Sequence, residues 1–203
     1  MALGDVCDVI DPNPSHRYPY YVTDGVPIIS SSEFIGEDGI DASRAQRVPM
    51  SFYLQTLGRF NVGEGDVVFS RKGKIGYARS HPAGETLSMT HTLCVLKPDR
   101  TRLDSRYLLH FARSPMFLQE LTGTMNPNVG VPTLGLAVIR AASLPFPTIE
   151  KQKAIAAELD AYGAATSHVQ QLQSATATDL QNLLPSILEK FFRINEFDSS
   201  QEK

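Results

Sequence analysis

One long apolar stripe limits the folds open to this sequence. Between Ile155 and Phe191, apolar residues and a few threonines recur every three or four positions, which is the spacing of one face of an α-helix. Thr148 suits the N-cap of that helix, and Glu150 suits its first turn. At about 1.5 Å per residue, positions 149–184 alone would extend about 54 Å, more than the width of a domain of this size. We therefore predict that part of the stripe extends beyond the domain and packs against a partner helix.

The predicted interface on this helix consists of large side chains of the stripe. They are Ile155, Leu159, Tyr162, Val169, Leu172, Leu180 and Leu183. The alternative is a helix that folds back near Gly163 and buries the stripe against itself. Pro185 removes one backbone hydrogen bond, so we expect it to kink or restart the helix. The predicted helix occupies 148–193, and 194–203 is expected to be a disordered tail.

Residues 1–147 have the pattern of a mixed α+β domain. Short runs rich in Val, Ile and Phe, bounded by Gly, Pro, Asn and Asp, are typical of strands. These runs lie at 26–29, 67–69, 93–96 and 138–144. Ser105 can cap one helix, and Ser114 followed by Pro115 can begin a second. The sequence predicts a mixed-sheet domain followed by the long helix.

Charge is distributed unevenly along the chain. The first 41 residues hold one basic side chain against eight acidic ones, whereas residues 42–113 hold twelve basic against five acidic. The net charge of the whole chain is −3, which excludes a basic nucleic-acid arm. Two interpretations remain open: the middle segment forms an anion-binding face, or the two segments pack together and neutralise each other.

Signatures of a catalytic site are absent from the sequence. It has no phosphate-binding glycine loop, no zinc-protease helix motif, no nucleophile elbow and no adenosylmethionine-methyltransferase motif. We therefore expect no metal, no cofactor and no intrinsic enzyme activity. The alternative from another functional class is an unrecognised metal-dependent nuclease or hydrolase. Its candidate acids are Asp5, Asp8 and Asp11.

The cysteines and the hydropathy pattern bear on the compartment. Cys7 and Cys94 are too few and too isolated for a disulfide framework or a zinc site, so we expect both to be buried as small apolar side chains. No apolar run reaches the roughly 18 residues that cross a bilayer, and the first ten residues lack a signal-peptide pattern. These features predict a cytoplasmic protein without a membrane segment.

The segment 65–76, GDVVFSRKGKIG, carries the sharpest binding signal. Its apolar half predicts a buried strand that leads into a cationic turn. The turn consists of Ser70, Arg71, Lys72 and Lys74. Three cations within four residues repel one another, which favours an anion such as DNA phosphate between them; the alternative is a solvated turn. The weaker candidates for DNA contact are Arg44, Arg47, Asn126 and Asn128. These residues serve equally well as ordinary surface and turn positions.

Several segments together resemble the specificity subunit of type I restriction-modification systems. In family order between residues 3 and 192, they are LGDVCDVI, GVPIISSSEF, GDVVFSRKGKIG, SPMFLQEL, SLPFPTIEKQKAIAAELD and NLLPSILEKFF. Most specific is the junction at which a Pro-rich strand end leads through an acid and a glutamine into Ile-Ala at the start of a long helix. The junction positions are Pro145, Pro147, Glu150, Gln152, Ile155 and Ala156.

The resemblance implies a non-catalytic, sequence-specific reader of double-stranded DNA whose target recognition domain is 1–147. It also implies methyltransferase (M) subunits and a restriction and translocase (R) subunit as partners that supply adenine methylation and ATP use. The usual family chain has two recognition domains and two long helices packed antiparallel, whereas this sequence has one of each. We therefore expect a homodimer joined by an antiparallel coiled coil, which would read a palindromic bipartite site. A protein-binding scaffold without DNA contact remains the second alternative.

Overall fold

The structure is a computed structural model that describes residues 1–15, 20–123 and 132–198. Contacts between residues divide the chain into two units, Met1–Ala156 and Ala157–Lys203. The strands are β1 (Cys7–Ile10), β2 (Val26–Ile29), β3 (Phe34–Ile35), β4 (Gly39–Ile40), β5 (Arg47–Val48), β6 (Val67–Ser70), β7 (Ala78–Ser80), β8 (Ser88–Met89) and β9 (Leu93–Pro98). The helices are α1 (Met50–Thr56), α2 (Ser105–Arg113), α3 (Pro115–Gly123), α4 (Leu136–Ala141) and α5 (Ile149–Asp198).

The strands form a larger sheet and two smaller ones. The larger sheet has the order β1-β9-β6-β7, and every neighbouring pair in it is antiparallel. In the second sheet, β2 pairs antiparallel with β5 and parallel with β8, while β3 and β4 form a hairpin. The predicted class, an α+β fold with mixed sheets followed by a long helix, is confirmed. The predicted strands at 26–29, 67–69 and 93–96 are also confirmed.

Alternate residues of the central strands fill two cores on opposite faces of the larger sheet. Val67 and Phe69 of β6 face a core that includes residues of α2, α3 and α4, whereas Val68 faces a core shared with Ile29 and Met89. The rings of Phe69 and Phe117, which belongs to α3, pack edge to face with their centroids 5.8 Å apart. Because both faces are covered, β6 reads as a continuous apolar run rather than an alternating one.

Two sequence predictions in the first unit are wrong. The run at 138–144 does not form the predicted strand: its first four residues complete α4, and Ile139 enters the core from this short helix, which begins after Gly135. Its apolar residues alone cannot distinguish a buried strand from a short buried helix. The N-cap of α2 is Asp104 rather than Ser105, since its Oδ1 accepts hydrogen bonds from the backbone amides of Arg106 and Tyr107.

The first turns of α5 belong to the first unit. The backbone amide of Lys151 donates to the hydroxyl of Thr148 at 3.4 Å, which confirms Thr148 as the cap. Gln152 and Ala156 are buried, and Ile155 packs against the main core. The unit therefore ends at Ala156, nine residues after the boundary predicted at 147, because these turns contribute side chains to the core.

The helix α5 is longer than the sequence predicted. It runs without interruption through Pro185 to Asp198, so it neither restarts at the proline nor ends at 193. A proline inside a helix removes one backbone hydrogen bond and crowds the carbonyl four residues earlier, but here the neighbouring turns continue across it. Of the predicted tail, 194–198 is helical, and the remainder lies outside the described residues. No helix in the described residues is both long and apolar enough to cross a membrane.

His81 makes the stability of the first unit depend on pH. Burial lowers the pKa of its imidazole below the ordinary 6.5, against opposing effects from a hydrogen bond with the carbonyl of Pro82 and from Asp66 and Glu85. The unfolded chain therefore binds the proton first, so the contribution of His81 to stability is complete above about pH 6.5 and is lost as the pH falls below it. We expect His81→Gln to flatten the decline in melting temperature between pH 7.5 and pH 5.5. The matched control His168→Gln removes an exposed imidazole, and an equal flattening in both variants would contradict the assignment.

Candidate nucleic-acid interface

Polar residues meet at one edge of the larger sheet, where β1 and β6 end and β9 and β7 begin. Asp11 directly follows β1, Arg71 follows β6, and Thr92 precedes β9. The backbone amide of Arg71 donates to the carbonyl of Thr92 at 3.0 Å. The amide of Thr90 donates to the carbonyl of Ile29, which attaches the end of β2 to the same edge. We call this set of strand ends the polar edge.

Ser70 and Arg71 are buried at the polar edge rather than exposed on a cationic turn. Ser70 has no exposed surface, and Arg71 is 6% exposed. The Nη2 atom of Arg71 lies 3.3 Å from Oδ2 of Asp11, and its Nη1 donates to the carbonyl of Leu134 at 3.4 Å. Their contact with DNA stays a prediction, but the exposed position on a cationic turn that the sequence suggested is not what the structure shows. Local sequence could not reveal this, because the carboxylate that pairs with Arg71 lies sixty positions earlier in the chain.

Lys72 and Lys74 do reach the surface. Lys72 is half-buried and lies opposite Thr133 in an isolated β-bridge, and Lys74 is exposed. The ammonium of Lys74 lies 6.0 Å from the centroid of the Tyr77 ring, which is itself 49% exposed. Neither lysine takes part in an ion pair within the described residues. We call Lys72–Tyr77 the basic turn.

Two glycines allow the basic turn to adopt its path. Gly73 has φ +73° and donates its backbone amide to the carbonyl of Pro132. Gly76 has φ +90°, and a Cβ atom built there would lie 2.6 Å from a methyl carbon of Leu118 on α3. A side chain at Gly76 would therefore be strained by its backbone conformation and would also collide with the helix. The sequence pattern around 65–76 thus reflects the shape of this turn.

The other residues predicted to contact DNA are Arg44, Arg47, Asn126 and Asn128. Arg44 is exposed. Arg47 belongs to β5, and its guanidinium donates to the carbonyl of Gly25 at 2.8 Å, so it supports the pairing with β2. Asn126 and Asn128 lie outside the described residues.

Several cations of the middle segment pair with acids or carbonyls of the first 41 residues. Besides the Arg71–Asp11 pair, Arg113 lies 2.7 Å and Arg106 3.5 Å from the carboxylate of Asp38. Partial burial raises the pKa of that carboxyl, but these two arginines outweigh it and hold the pKa below its usual value. Of the two interpretations of the charge pattern, mutual neutralisation accounts for these residues, and the basic turn keeps its charge for another partner.

The two cysteines and the candidate acids of a metal site have the following surroundings. Burial raises the pKa of the Cys94 thiol to about 12 and also raises that of Cys7, so neither forms a thiolate near neutral pH. Both are free and buried, as predicted. Of the acids proposed for a metal site, Asp11 pairs with Arg71. Across the described ranges, no group of three or more His, Cys, Asp or Glu side chains is arranged to hold a metal ion.

The apolar stripe of α5 is exposed beyond the first unit. Its predicted residues that are exposed are Leu159, Tyr162, Val169, Leu172, Leu180 and Leu183. Ile155 differs from them, because it packs against the core of the first unit and is not part of this exposed face. The prediction missed three further exposed residues: Leu184, Leu188 and Phe192. Each of the three directly follows a stripe residue in the sequence, and they are spaced four positions apart. That spacing places them on one side of the helix and would have identified them as part of a wider apolar face.

The sequence of the chain matches a known protein family. A family model described as type I restriction modification DNA specificity domain matches residues 1–176. No sequence among curated proteins matches significantly.

Solved structures are similar in fold. One, described as the structural basis of complex assembly and conformational transition of the type I R-M system, has a TM-score of 0.66 at 22% identity and covers 94% of this chain. The HsdS subunit from Thermoanaerobacter tengcongensis has a TM-score of 0.63 at 18% identity over 94% of this chain. The type I S subunit from M. genitalium has a TM-score of 0.51 at 14% identity over 85%. This chain spans 44%, 48% and 40% of those three chains, respectively.

Proposed function

The chain belongs to the family of type I restriction modification DNA specificity domains, and from that premise we propose that it reads one half of a bipartite site in double-stranded DNA. In this proposal the chain is a non-catalytic specificity subunit. The M subunits methylate the DNA and the R subunit translocates and cleaves it, and the chain docks both. It acts in the cytoplasm, where the DNA is.

The observation that carries the proposal is the basic turn. Lys72 and Lys74 lie at the surface without an ion pair in the described part of the chain, whereas Arg71, Arg106 and Arg113 are paired with carboxylates. Ammonium groups that stay unpaired in a chain of net charge −3 are available for phosphate. Tyr77 beside them offers a hydroxyl and a ring face, which suit contacts with sugar and base edges. We keep Arg44, Asn126 and Asn128 as secondary candidates for contact with the DNA.

The proposal divides the chain by role. Residues 1–147 form the target recognition domain, and the helix from 148 to at least 193 acts as spacer and pairing element. We propose that this helix pairs with that of a second copy as an antiparallel coiled coil. Six predicted stripe residues are exposed from Leu159 to Leu183, and a row of large apolar side chains in water favours association. A twofold pair would present two recognition domains to a palindromic site.

Binding to a mixed-sequence duplex tests the DNA proposal directly. We expect affinity to fall steeply with salt, because lysines that neutralise phosphates release counterions. In the variant Lys72→Met/Lys74→Met, affinity should fall about tenfold or more, and the slope of log K against log salt should flatten by about 1.8, roughly 0.9 for each lost phosphate contact.

The matched control is Lys151→Met/Lys153→Met, which removes two exposed lysines from the start of α5. It should leave the slope within about 0.5 of the unaltered value if the basic turn is the contact. An unaltered chain that binds no duplex at low salt would favour the protein-binding scaffold. Cleavage of the duplex by the chain alone with Mg²⁺ would instead favour the nuclease.

A further inference from the structure

Arg71 is the best-connected residue of the polar edge. Its backbone amide donates to Thr92, and its carbonyl accepts the amide of Leu134 at 2.8 Å. Its guanidinium reaches the Asp11 carboxylate and the carbonyl of Leu134. One buried residue thus joins four stretches of chain: the end of β1, the end of β6, the start of β9 and the segment before α4.

Burying the guanidinium of Arg71 at these strand ends has an unfavourable desolvation free energy. Charged groups lose hydration on burial and recover it only through pairing and hydrogen bonds. Within the described residues, the Nε atom of Arg71 has no hydrogen-bond partner, so the recovery is incomplete. An apolar residue would fill the same space without that penalty. The arrangement therefore points to a geometric requirement at this position beyond core stability.

The basic turn begins at the next residue, and its path depends on the segment that Arg71 holds. Lys72 forms its β-bridge with Thr133, and the amide of Gly73 donates to Pro132. Both partners lie directly before Leu134, whose backbone is bonded twice to Arg71. Fixing Leu134 against β6 therefore fixes the backbone from which Lys72 and Lys74 extend.

We propose that Arg71 is a positioning residue for DNA recognition: it contacts no DNA, and its partly buried pair with Asp11 holds the basic turn in the conformation that engages phosphate. This inference rests on the function proposed above. It gives the three cations of the motif two different roles, with the lysines touching the ligand and the arginine acting through them. Freezing even one backbone residue costs an entropy equivalent to roughly a tenfold change in affinity, so a loosened turn should bind clearly less well.

The test compares Arg71→Met, Arg71→Lys, Asp11→Asn and the double variant Arg71→Met/Asp11→Asn with Lys74→Met as the contact control. Each is assayed for binding to the same fluorescent mixed-sequence 20-base-pair duplex at several salt concentrations. Thermal unfolding, followed by circular dichroism, is measured alongside so that binding is compared only among folded chains. Arg71→Lys keeps the charge beside Asp11 and is the variant least disruptive to folding.

We expect Arg71→Met to lose about tenfold in affinity with the salt slope unchanged, whereas Lys74→Met flattens the slope by about 0.9. Arg71→Lys should recover part of the affinity. The double variant should lose no more than the worse single variant, since the two side chains act as one unit. A slope flattened by about 0.9 in Arg71→Met would show direct phosphate contact and overturn the proposal, as would a folded Arg71→Met that binds normally. Failure of the unaltered chain to bind would instead overturn the proposed function.

Discussion

A chain that carries Leu159→Asp and Leu172→Asp is expected to be a monomer at concentrations at which the unaltered chain is a dimer. Both leucines are exposed in the single chain, at 40% and 55%, and in the proposed pair both are covered by the partner helix. Removing a buried leucine side chain costs about 2 kcal/mol or more. A twofold pair loses four of them, about 8 kcal/mol in total, which amounts to roughly six orders of magnitude in Kd. Carboxylates in an apolar seam add a desolvation cost to that loss.

Multi-angle light scattering across a micromolar concentration series measures this directly. The matched control is Ala157→Asp/Ala175→Asp, which places the same two carboxylates at exposed positions off the stripe. The control should remain dimeric, and both variants should keep their helical circular dichroism. An unaltered chain that is monomeric throughout the series would exclude self-pairing and point to a helix of another chain. A dimeric leucine variant would exclude this face as the interface.

Much of the fold could be predicted because the residues within and next to several strands are typical of strands and of strand ends. The runs at 26–29, 67–69 and 93–96 consist mostly of β-branched and other large apolar residues and have a Gly or Pro within or near them, and each forms a strand. The run at 138–144 also begins with two β-branched residues, but its first four residues belong to α4, because a short buried segment has no diagnostic period. Its conformation is decided by packing, here the insertion of Ile139 into the core.

The candidate site was predictable in position but not in detail. The segment 65–76 is predicted correctly as a strand leading into a turn, yet the burial of Arg71 depends on Asp11, which directly follows another strand, β1. Likewise the role of Asp38 as the acid that neutralises Arg106 and Arg113 follows from tertiary packing. Sequence patterns report periodicity and turn chemistry, whereas ion pairs between distant segments arise only once the sheet order is fixed.

The second large effect is expected at Gln152, which the sequence placed in the junction before the long helix. Its side chain is completely buried and makes three hydrogen bonds. Oε1 accepts the amide of Asp104 at 2.9 Å, and Nε2 donates to the carbonyls of Arg102 and Pro147 at 3.1 and 2.9 Å. The side-chain amide of Gln152 thus joins the start of α2 to the first turn of α5, and both its oxygen and its nitrogen bond to the backbone.

Gln152→Leu should therefore lower the free energy of unfolding by about 3 kcal/mol. The leucine fits an apolar surrounding but removes the partner of one backbone N–H and two carbonyls that are partly buried. Each loss costs about 1–3 kcal/mol when the group is fully buried, and partial exposure and local relaxation reduce that cost. Urea unfolding of the unaltered chain and the variant measures the difference. Gln55→Leu, at an exposed position of α1, is the matched control and should change the free energy by less than about 0.5 kcal/mol.

Gln152→Glu separates the hydrogen-bond explanation from a simple packing effect. The glutamate has the shape of glutamine and can accept from Asp104, but as a carboxylate it faces two carbonyl oxygens and has no proton to donate. Burial and those oxygens raise its pKa in the folded state, so its contribution to stability is present below its unfolded pKa and is lost as the pH rises through the folded value. The deficit relative to the unaltered chain should thus shrink toward pH 4.5, where the protonated acid donates one hydrogen bond. A deficit that is equal at pH 4.5 and pH 7.5, or a Gln152→Leu variant as stable as the unaltered chain, would show that the buried hydrogen bonds are not what anchors the start of α5.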